Sequence, residues 1–388
     1  MTTASAVTAA NTMTATSARA TSAAPRKSPP GKARIGVLLV NLGTPDAAET
    51  SAVRRYLREF LMDPRVIDIS ALGRWLLVHA IILPFRPQRS AEAYQKVWTE
   101  RGSPLLFHSQ DLRAKVSDLM GDSFDVRLGM RYGSPSLPTT LDGFARDGID
   151  RILVLPLFPQ YSSAAFGSAA ARVMKLAAER WNVPQVHVLP PFFDDPGFIR
   201  SVTTIAERSF AAQDVALDAI DHVLISFHGV PERQCKRSDT TGAHCLQRPD
   251  CCETLVEANR HCYRAQCLAT ARAVADQLSL PADRWSVGFQ SRLGRTPWIR
   301  PYTDEALAEL GRQRLGRIAV LEPSFTADCL ETTEEIGLRG REIFREAGGG
   351  ELLLAPCPNA DDLWAETVAT MLRRAVPPAW APSERAGA

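Results

Sequence analysis

Two stretches of the chain carry side chains able to move protons or hold a cation. Ser226-Phe227-His228-Gly229-Val230-Pro231 closes the apolar run His222-Val223-Leu224-Ile225, which predicts a buried strand ending in a surface turn. Ligands of parallel sheets bind beyond the carboxyl ends of the strands, and that is where His228 falls. A histidine at one such turn means little by itself. A second run, Arg317 to Glu322, leads through Pro-Ser-Phe-Thr-Ala to Asp328, Glu331, Glu334 and Glu335. Glu331 and Glu335 stand four apart and share one face of the helix expected to begin there. One imidazole and a carboxylate row at two strand ends suit either a divalent metal or proton transfer near neutral pH.

These stretches also carry a family resemblance. Ser-Phe-His-Gly-Val-Pro-Glu-Arg and Phe-Thr-Ala-Asp-Cys-Leu-Glu-Thr-Thr-Glu-Glu-Ile resemble the signature segments of the ferrochelatases, which insert iron into a porphyrin. Asn41-Leu-Gly-Thr-Pro45, Gly102-Ser-Pro104, Pro159-Gln-Tyr-Ser162, Phe289-Gln-Ser291 and Pro297-Trp298 match in the family's order, over roughly residues 33 to 375. The ordered set is far more specific than any one motif.

The chemistry explains the residue types. Metal insertion removes two pyrrole protons and strips the metal of water. Imidazole suits the first task. Carboxylates bind hard, hydrated cations and release them more readily than thiolates would. The resemblance implies that His228 accepts protons and contacts the metal, that Glu331 faces it across the ring, and that Glu335 and Asp328 are outer members of an acidic path. It further implies porphyrin contacts for Leu42, Arg86, Tyr94, Ser103 and Trp298. Arg86 suits a propionate, with Arg89 as its rival. The coproporphyrin-using branch typically has tyrosine where this chain has Leu42, so protoporphyrin IX is the expected substrate. A coproporphyrin III, cobalt or nickel chelatase is the alternative enzyme. A non-enzymatic iron–sulfur sensor is the alternative from another class, but it leaves His228 and the carboxylate row unexplained.

Elements that place these residues follow from pattern. Ile35–Val40 reads as a buried strand turning into a helix with Val53, Leu57, Phe60 and Leu61 at helical spacing. No GxGxxG or GxxxxGK[ST] follows, which disfavours a nucleotide site. Strands are expected near 126–131, 152–158, 186–189, 222–227, 285–290, 317–322 and 351–354, alternating with helices. The fold class is therefore α/β, with parallel sheets covered on both faces. Two Rossmann-like domains, as the resemblance implies, would divide at 33–195 and 196–376, with the porphyrin cleft between them.

At 388 residues, 45% apolar, 23% charged and net +2, the chain reads as a soluble globular protein and not as a nucleic-acid binder. Residues 1–32 form an Ala/Thr/Ser-rich stretch without an acid and without the apolar core of a secretory signal, and 377–388 form a second tail; both are expected to be disordered. Trp75 to Phe85 is about half the ~20 residues a membrane span needs. It reads as a core helix by default, or, by the resemblance, as an apolar lip able to touch a membrane surface. The expected setting is cytoplasmic, peripheral at most, for a monomer or homodimer.

Five of the eight cysteines, Cys245, Cys251, Cys252, Cys262 and Cys267, lie within 23 residues inside the insertion 235–267. A reducing compartment disfavours disulfides. Cys329 and Cys357 fit buried structural thiols, but the polar surroundings of this cluster do not. No C-x₂-C pair favours zinc, and Cys262-x₄-Cys267 has the spacing of plant-type [2Fe–2S] sites. Some ferrochelatases carry an internal [2Fe–2S] segment, and this insertion resembles it. The expected ligands are Cys245, Cys252, Cys262 and Cys267, with Cys251 the rival to its neighbour and Cys235 outside the set.

Overall fold

The computed structural model describes residues 34–380 except 293 and 295. The tail expected over 1–32 lies outside the described residues. In the N-terminal half, strands β1 (Ile35–Thr44), β2 (Phe124–Gly133), β3 (Arg151–Pro156) and β4 (Gln185–Val188) form a parallel sheet in the order β2-β1-β3-β4. Helices α1 (Thr50–Leu61), α2 (Ala71–Leu76), α3 (Leu83–Val97), α4 (Pro104–Met120), α5 (Leu137–Arg146) and α6 (Ser168–Ala178) connect and cover it. Helix α7 (Pro196–Ala211) leads into the C-terminal half. There β5 (His222–His228), β6 (Trp285–Gln290), β7 (Arg317–Leu321) and β8 (Glu351–Leu354) repeat the arrangement as β6-β5-β7-β8, again parallel. Their helices are α8 (Glu232–Ser238), α9 (Tyr263–Gln277), α10 (Thr303–Arg312), α11 (Arg341–Glu346) and α12 (Asp362–Ala375).

This order has a functional consequence. The connections leave β1 and β5 toward opposite neighbours, so a crevice opens beyond the carboxyl end of each strand. Asn41-Leu42-Gly43-Thr44 occupies one such end and His228 the other. Gly43 is required at its place: φ is +112°, and a Cβ there would run into the Tyr132 carbonyl.

Strands β1, β5 and β7 are buried on both faces, which is why they read as unbroken apolar runs. One core continues from Val37, Leu39 and Leu155 through Phe198 and Trp364 to Ile225 and Phe227, so both sheets share it. The strand-end loops also meet, with Gln160 Nε2 donating to Pro323 O (3.1 Å) and Thr326 Oγ1 to Leu157 O (3.2 Å).

Three expectations change. The Trp75–Phe85 run is not a core helix. It forms the end of α2, a π-helical turn (Leu77–Ile82) and the start of α3, with Val78, Leu83, Ala91 and Tyr94 packed against α1. Its other face shows Leu72 at 70% exposure and Phe85 at 75%, beside Trp75, Leu76 and Ile81. The carboxylate helix Glu331–Gly340 is a π-helix running into α11. Lastly, the tail expected from 377 begins with an ordered turn, Pro378–Trp380, whose buried indole donates to Gln185 Oε1 at 2.7 Å. Residues 381–388 lie outside the described part.

Candidate functional site

His228 is half-buried at the end of β5, with its backbone N–H donating to Ser324 Oγ at 3.0 Å. Its Nδ1 lies 2.6 Å from Gly229 O. A carbonyl only accepts, so Nδ1 carries the hydrogen and the neutral ring keeps its lone pair on Nε2. Trp298 and Phe325 flank the ring at centroid distances of 6.4 and 6.3 Å. Glu335 lies within the electrostatic reach of His228 and accepts from both Ser291 N (2.9 Å) and Ser291 Oγ (2.5 Å). Ser291 adopts φ +65°, which aims amide and hydroxyl at the same carboxylate. Burial raises the Glu335 pKa, and Glu331 adds to this, while Ser291, His228 and Arg339 only partly oppose it.

Glu331 opens the helix that carries Glu335, one turn earlier. Gln290 Nε2 donates to its backbone carbonyl at 3.0 Å, and Ser226 Oγ holds Gln290 Oε1 at 2.6 Å. Its charge reaches Tyr94, Tyr56, Cys329 and Arg86. Burial first, and then charged neighbours including Glu331, push both tyrosine hydroxyls well above their usual range, which keeps them neutral donors. Tyr56 Oη donates to Gly43 O (3.0 Å), and Thr44 Oγ1 to Ser103 Oγ (2.8 Å). Leu42 packs with Leu330 against this cluster. Arg86 is exposed, and loss of water lowers its pKa against the pull of Glu331. Leu42, Tyr94, Ser103 and Arg86 thus gather around Glu331, whereas Trp298 joins His228 and Glu335.

The sequence model of the ferrochelatases matches residues 34–376. This chain belongs to the ferrochelatase family. It is 44% identical over 343 residues to the ferrochelatase of Coxiella burnetii (strain RSA 493 / Nine Mile phase I), covering 88% of this chain and 94% of that one. Against the ferrochelatase of Legionella pneumophila (strain Paris) it is 43% identical, covering 88% of this chain and all of that one at 100%. Among solved structures, SirB from Bacillus subtilis with Fe3+ is similar at a TM-score of 0.48, 11% identity and 88% and 95% coverage. CbiX, the terminal enzyme for biosynthesis of siroheme in denitrifying bacteria, is similar at 0.47, 15%, 88% and 100%.

Within this ferrochelatase fold several residues escaped sequence reasoning. Glu334 is buried and links the carboxylate helix to the lip, pairing with Lys96 on α3 (3.3 Å) and Arg339 (2.9 Å). Asp63 accepts from Arg131, Tyr132 Oη (2.8 Å), Ser168 Oγ (2.5 Å) and Arg65 N (2.7 Å), which fixes the turn after α1. Glu322 is buried at the end of β7, and neither carboxyl oxygen has a hydrogen-bond partner among the described residues. Burial raises its pKa well above the carboxylate range. Asp328 Oδ1 accepts from Cys357 N (2.9 Å) and Oδ2 from Asn359 Nδ2 (2.7 Å), and its charge adds to those of Glu335 and Glu331 on Glu322.

The cysteine-rich segment runs from α8 into α9, outside the sheet, with all six of its cysteines buried. Polar side chains build its loops. Asp239 accepts from Thr241 N, Thr241 Oγ1, His244 N and Cys245 N at 2.6–2.9 Å. The buried Asn259 amide donates to Cys251 O and Thr254 O and accepts from Val256 N, at 2.8–2.9 Å. Cys251 and Cys252 sulfurs are 3.6 Å apart, Leu246 N donates to Cys251 Sγ (3.3 Å), and the Arg264 side chain bonds Cys252. Among the described residues, no three or more His, Cys, Asp or Glu side chains are arranged around a single ion position.

Proposed function

We propose that this chain inserts ferrous iron into protoporphyrin IX, the terminal step of haem formation, as a lyase. What supports this reading most is His228, whose Nδ1 is engaged by a carbonyl so that Nε2 is left as a base at a strand end. In this account each pyrrole N–H gives its proton to His228 Nε2, and the buried Glu335 beside it takes the proton on. Glu331 holds the entering cation, with His228 as its second contact. Tyr94, Ser103 and Leu42 line the ring's edge, Arg86 pairs a propionate, and Trp298 closes the His228 side. Leu42 offers an apolar surface that suits vinyl groups better than extra carboxylates. Purified protein given ferrous iron and either porphyrin tests both levels. Turnover faster with protoporphyrin IX than with coproporphyrin III is expected. Preference for coproporphyrin III would overturn the substrate assignment, and no insertion of iron or zinc would overturn the activity.

The exposed Leu72, Trp75, Ile81 and Phe85 support a cytoplasmic enzyme whose lip touches a membrane surface, although no helix is long and apolar enough to cross one. We place the domain boundary at 195/196, ahead of α7.

A [2Fe–2S] cluster in the cysteine segment is the cofactor reading. Thiols suit such a group chemically, but among the described residues no three of these side chains close around one ion position. The six thiols are buried, the Cys251 and Cys252 sulfurs lie 3.6 Å apart, an amide reaches Cys251, and no disulfide ties them. Cys245, Cys252, Cys262 and Cys267 would hold it, with Cys251 the rival to Cys252. When bound, the group supplies one-electron redox chemistry and a cross-link between loops. Asp239 and Asn259 hold the loops in place around those thiols.

A further inference from the structure

Pro159-Gln160-Tyr161-Ser162 is one of the stretches that carry the family resemblance, yet it supplies none of the residues assigned to the site. Gln160 is 2% exposed and lies in the loop that follows β3, in the N-terminal half. Its side-chain amide donates to Thr270 Oγ1 on α9 (3.0 Å) and to Pro323 O (3.1 Å). Those partners decide which way the amide points. The Thr270 hydroxyl spends its one hydrogen on Phe193 O at 2.7 Å and offers Gln160 only lone pairs, and a carbonyl only accepts. Both amide hydrogens are therefore used, and both reach into the C-terminal half. One turn before Thr270 on α9, Gln266 Oε1 accepts from Tyr161 N at 2.6 Å and anchors the adjoining residue of the same loop.

Pro323 belongs to the turn that backs His228. Lacking an N–H, it is held by hydrogen bonds through its carbonyl alone. Phe325 N closes the turn on Glu322 O (3.1 Å), Ser324 Oγ accepts from His228 N (3.0 Å), and the Phe325 ring stands 6.3 Å from the imidazole. A buried amide from one half thus fixes the piece of chain on which the histidine of the other half rests. On the reading of His228 as the base, on which this inference rests, we propose that Gln160 is a positioning residue for His228. It acts through the Pro323–Phe325 turn and not on the porphyrin or the metal. A shift of that turn would move the ring and the amide bond that anchors it together, and a misplacement of about 1 Å at a reacting group costs up to about 10²-fold.

The test compares wild type, Gln160→Met, Thr270→Val, His228→Ala and the His228→Ala/Gln160→Met pair in iron insertion, porphyrin binding by fluorescence quenching, and denaturant melts. Gln160→Met keeps the length of the side chain and removes the Pro323 donor. Its kcat should fall about 10- to 100-fold while porphyrin affinity stays within about threefold. Added to His228→Ala, it should slow insertion by less than about threefold more, because a residue that acts through the imidazole then has nothing to position. Thr270→Val also takes a partner from Gln160 but spares the Pro323 bond, so kcat should stay within about threefold of wild type even where stability falls. Near-wild-type kcat in Gln160→Met overturns the proposal. So do losses that multiply in the double variant, or a kcat that follows the melting midpoint across Gln160→Met and Thr270→Val, since both mark a merely structural role. Near-wild-type kcat in His228→Ala overturns the base reading itself and is thereby distinguished. If Gln160→Met does not fold, Gln160→Glu, which keeps the shape but turns an acceptor on two acceptors, is read by the same criteria.

Discussion

Replacing His228 by alanine separates binding from chemistry. The ring is half-buried and touches Trp298 and Phe325 only with its edges and faces, while the backbone N–H that fixes the loop bonds Ser324 and survives the change. The loop should keep its place. What is lost is the Nε2 lone pair that the Nδ1–H···O=C bond leaves exposed. A positioned general base contributes about 10²- to 10⁴-fold. At about 1.36 kcal/mol per tenfold, the barrier should rise by about 3–5 kcal/mol. Porphyrin affinity, which the proposed reading assigns to Tyr94, Ser103 and Arg86, should change less than about threefold, under 1 kcal/mol. Steady-state insertion of ferrous iron measures kcat, and quenching of porphyrin fluorescence measures binding. Near-wild-type kcat would refute the proton role. An equal loss in kcat and in affinity would show that His228 holds the ring instead.

Three further outcomes are expected. Glu331→Gln keeps the shape and removes the charge, so insertion should slow by about 10²-fold or more at unchanged porphyrin binding, as for a lost transition-state contact; restoration by raised metal concentration alone would recast Glu331 as a binding group. Asp63→Asn should destabilise the chain by about 3 kcal/mol, because it strips the charge partner from Arg131 within a nearly dry network. Burial pushes the Asp63 pKa up, but Ser168, Arg65 N–H, Tyr132 and Arg131 outweigh it and hold the folded-state value low. This contribution is thus complete above the unfolded carboxylate pKa of about 4 and lost as pH falls through the lower folded value. Denaturant melts of both proteins should converge only on acidification, and an Asp63→Asn chain as stable as wild type at pH 7 would contradict it. Phe85→Ser with Trp75→Ser should reduce sedimentation with lipid vesicles while leaving turnover on soluble porphyrin intact; unchanged sedimentation would assign the lip to another partner.

The strands were legible because a parallel strand covered on both faces leaves a continuous apolar run, and β1, β5 and β7 are of that kind. His228, Glu331 and Glu335 were legible for a related reason: they sit at strand ends or just beyond, where position along the chain implies position in space. Other features carried no such signal. An apolar run looks the same whether its partner is protein or water, so the lip face of α2 and α3 passed for core. A π-helix and an α-helix both bring residues four apart together, and the Glu331–Glu335 spacing could not tell them apart. Asp63 finds Arg131 and Ser168 at separations of 68 and 105 residues, beyond any local pattern.

The two halves assemble one site between them. Glu331 lies in the C-terminal half, yet Tyr56, Tyr94 and Arg86 around it come from the N-terminal half, and Glu334 beside it pairs with Lys96 on α3. The Lys96 side chain is half exposed, so that pair by itself is worth little. Its value is positional. Glu334 is one residue from Glu335 and three from Glu331, and α3 carries Arg86 and Tyr94 on the same helix as Lys96. A displacement of the lip therefore moves the porphyrin contacts and the carboxylate helix together. That coupling suits a reaction in which a flat ring must enter, be held while the metal is inserted, and leave. The lip keeps its buried face on α1 and leaves an apolar outer face uncovered. The sheets, sharing one core, supply the fixed frame.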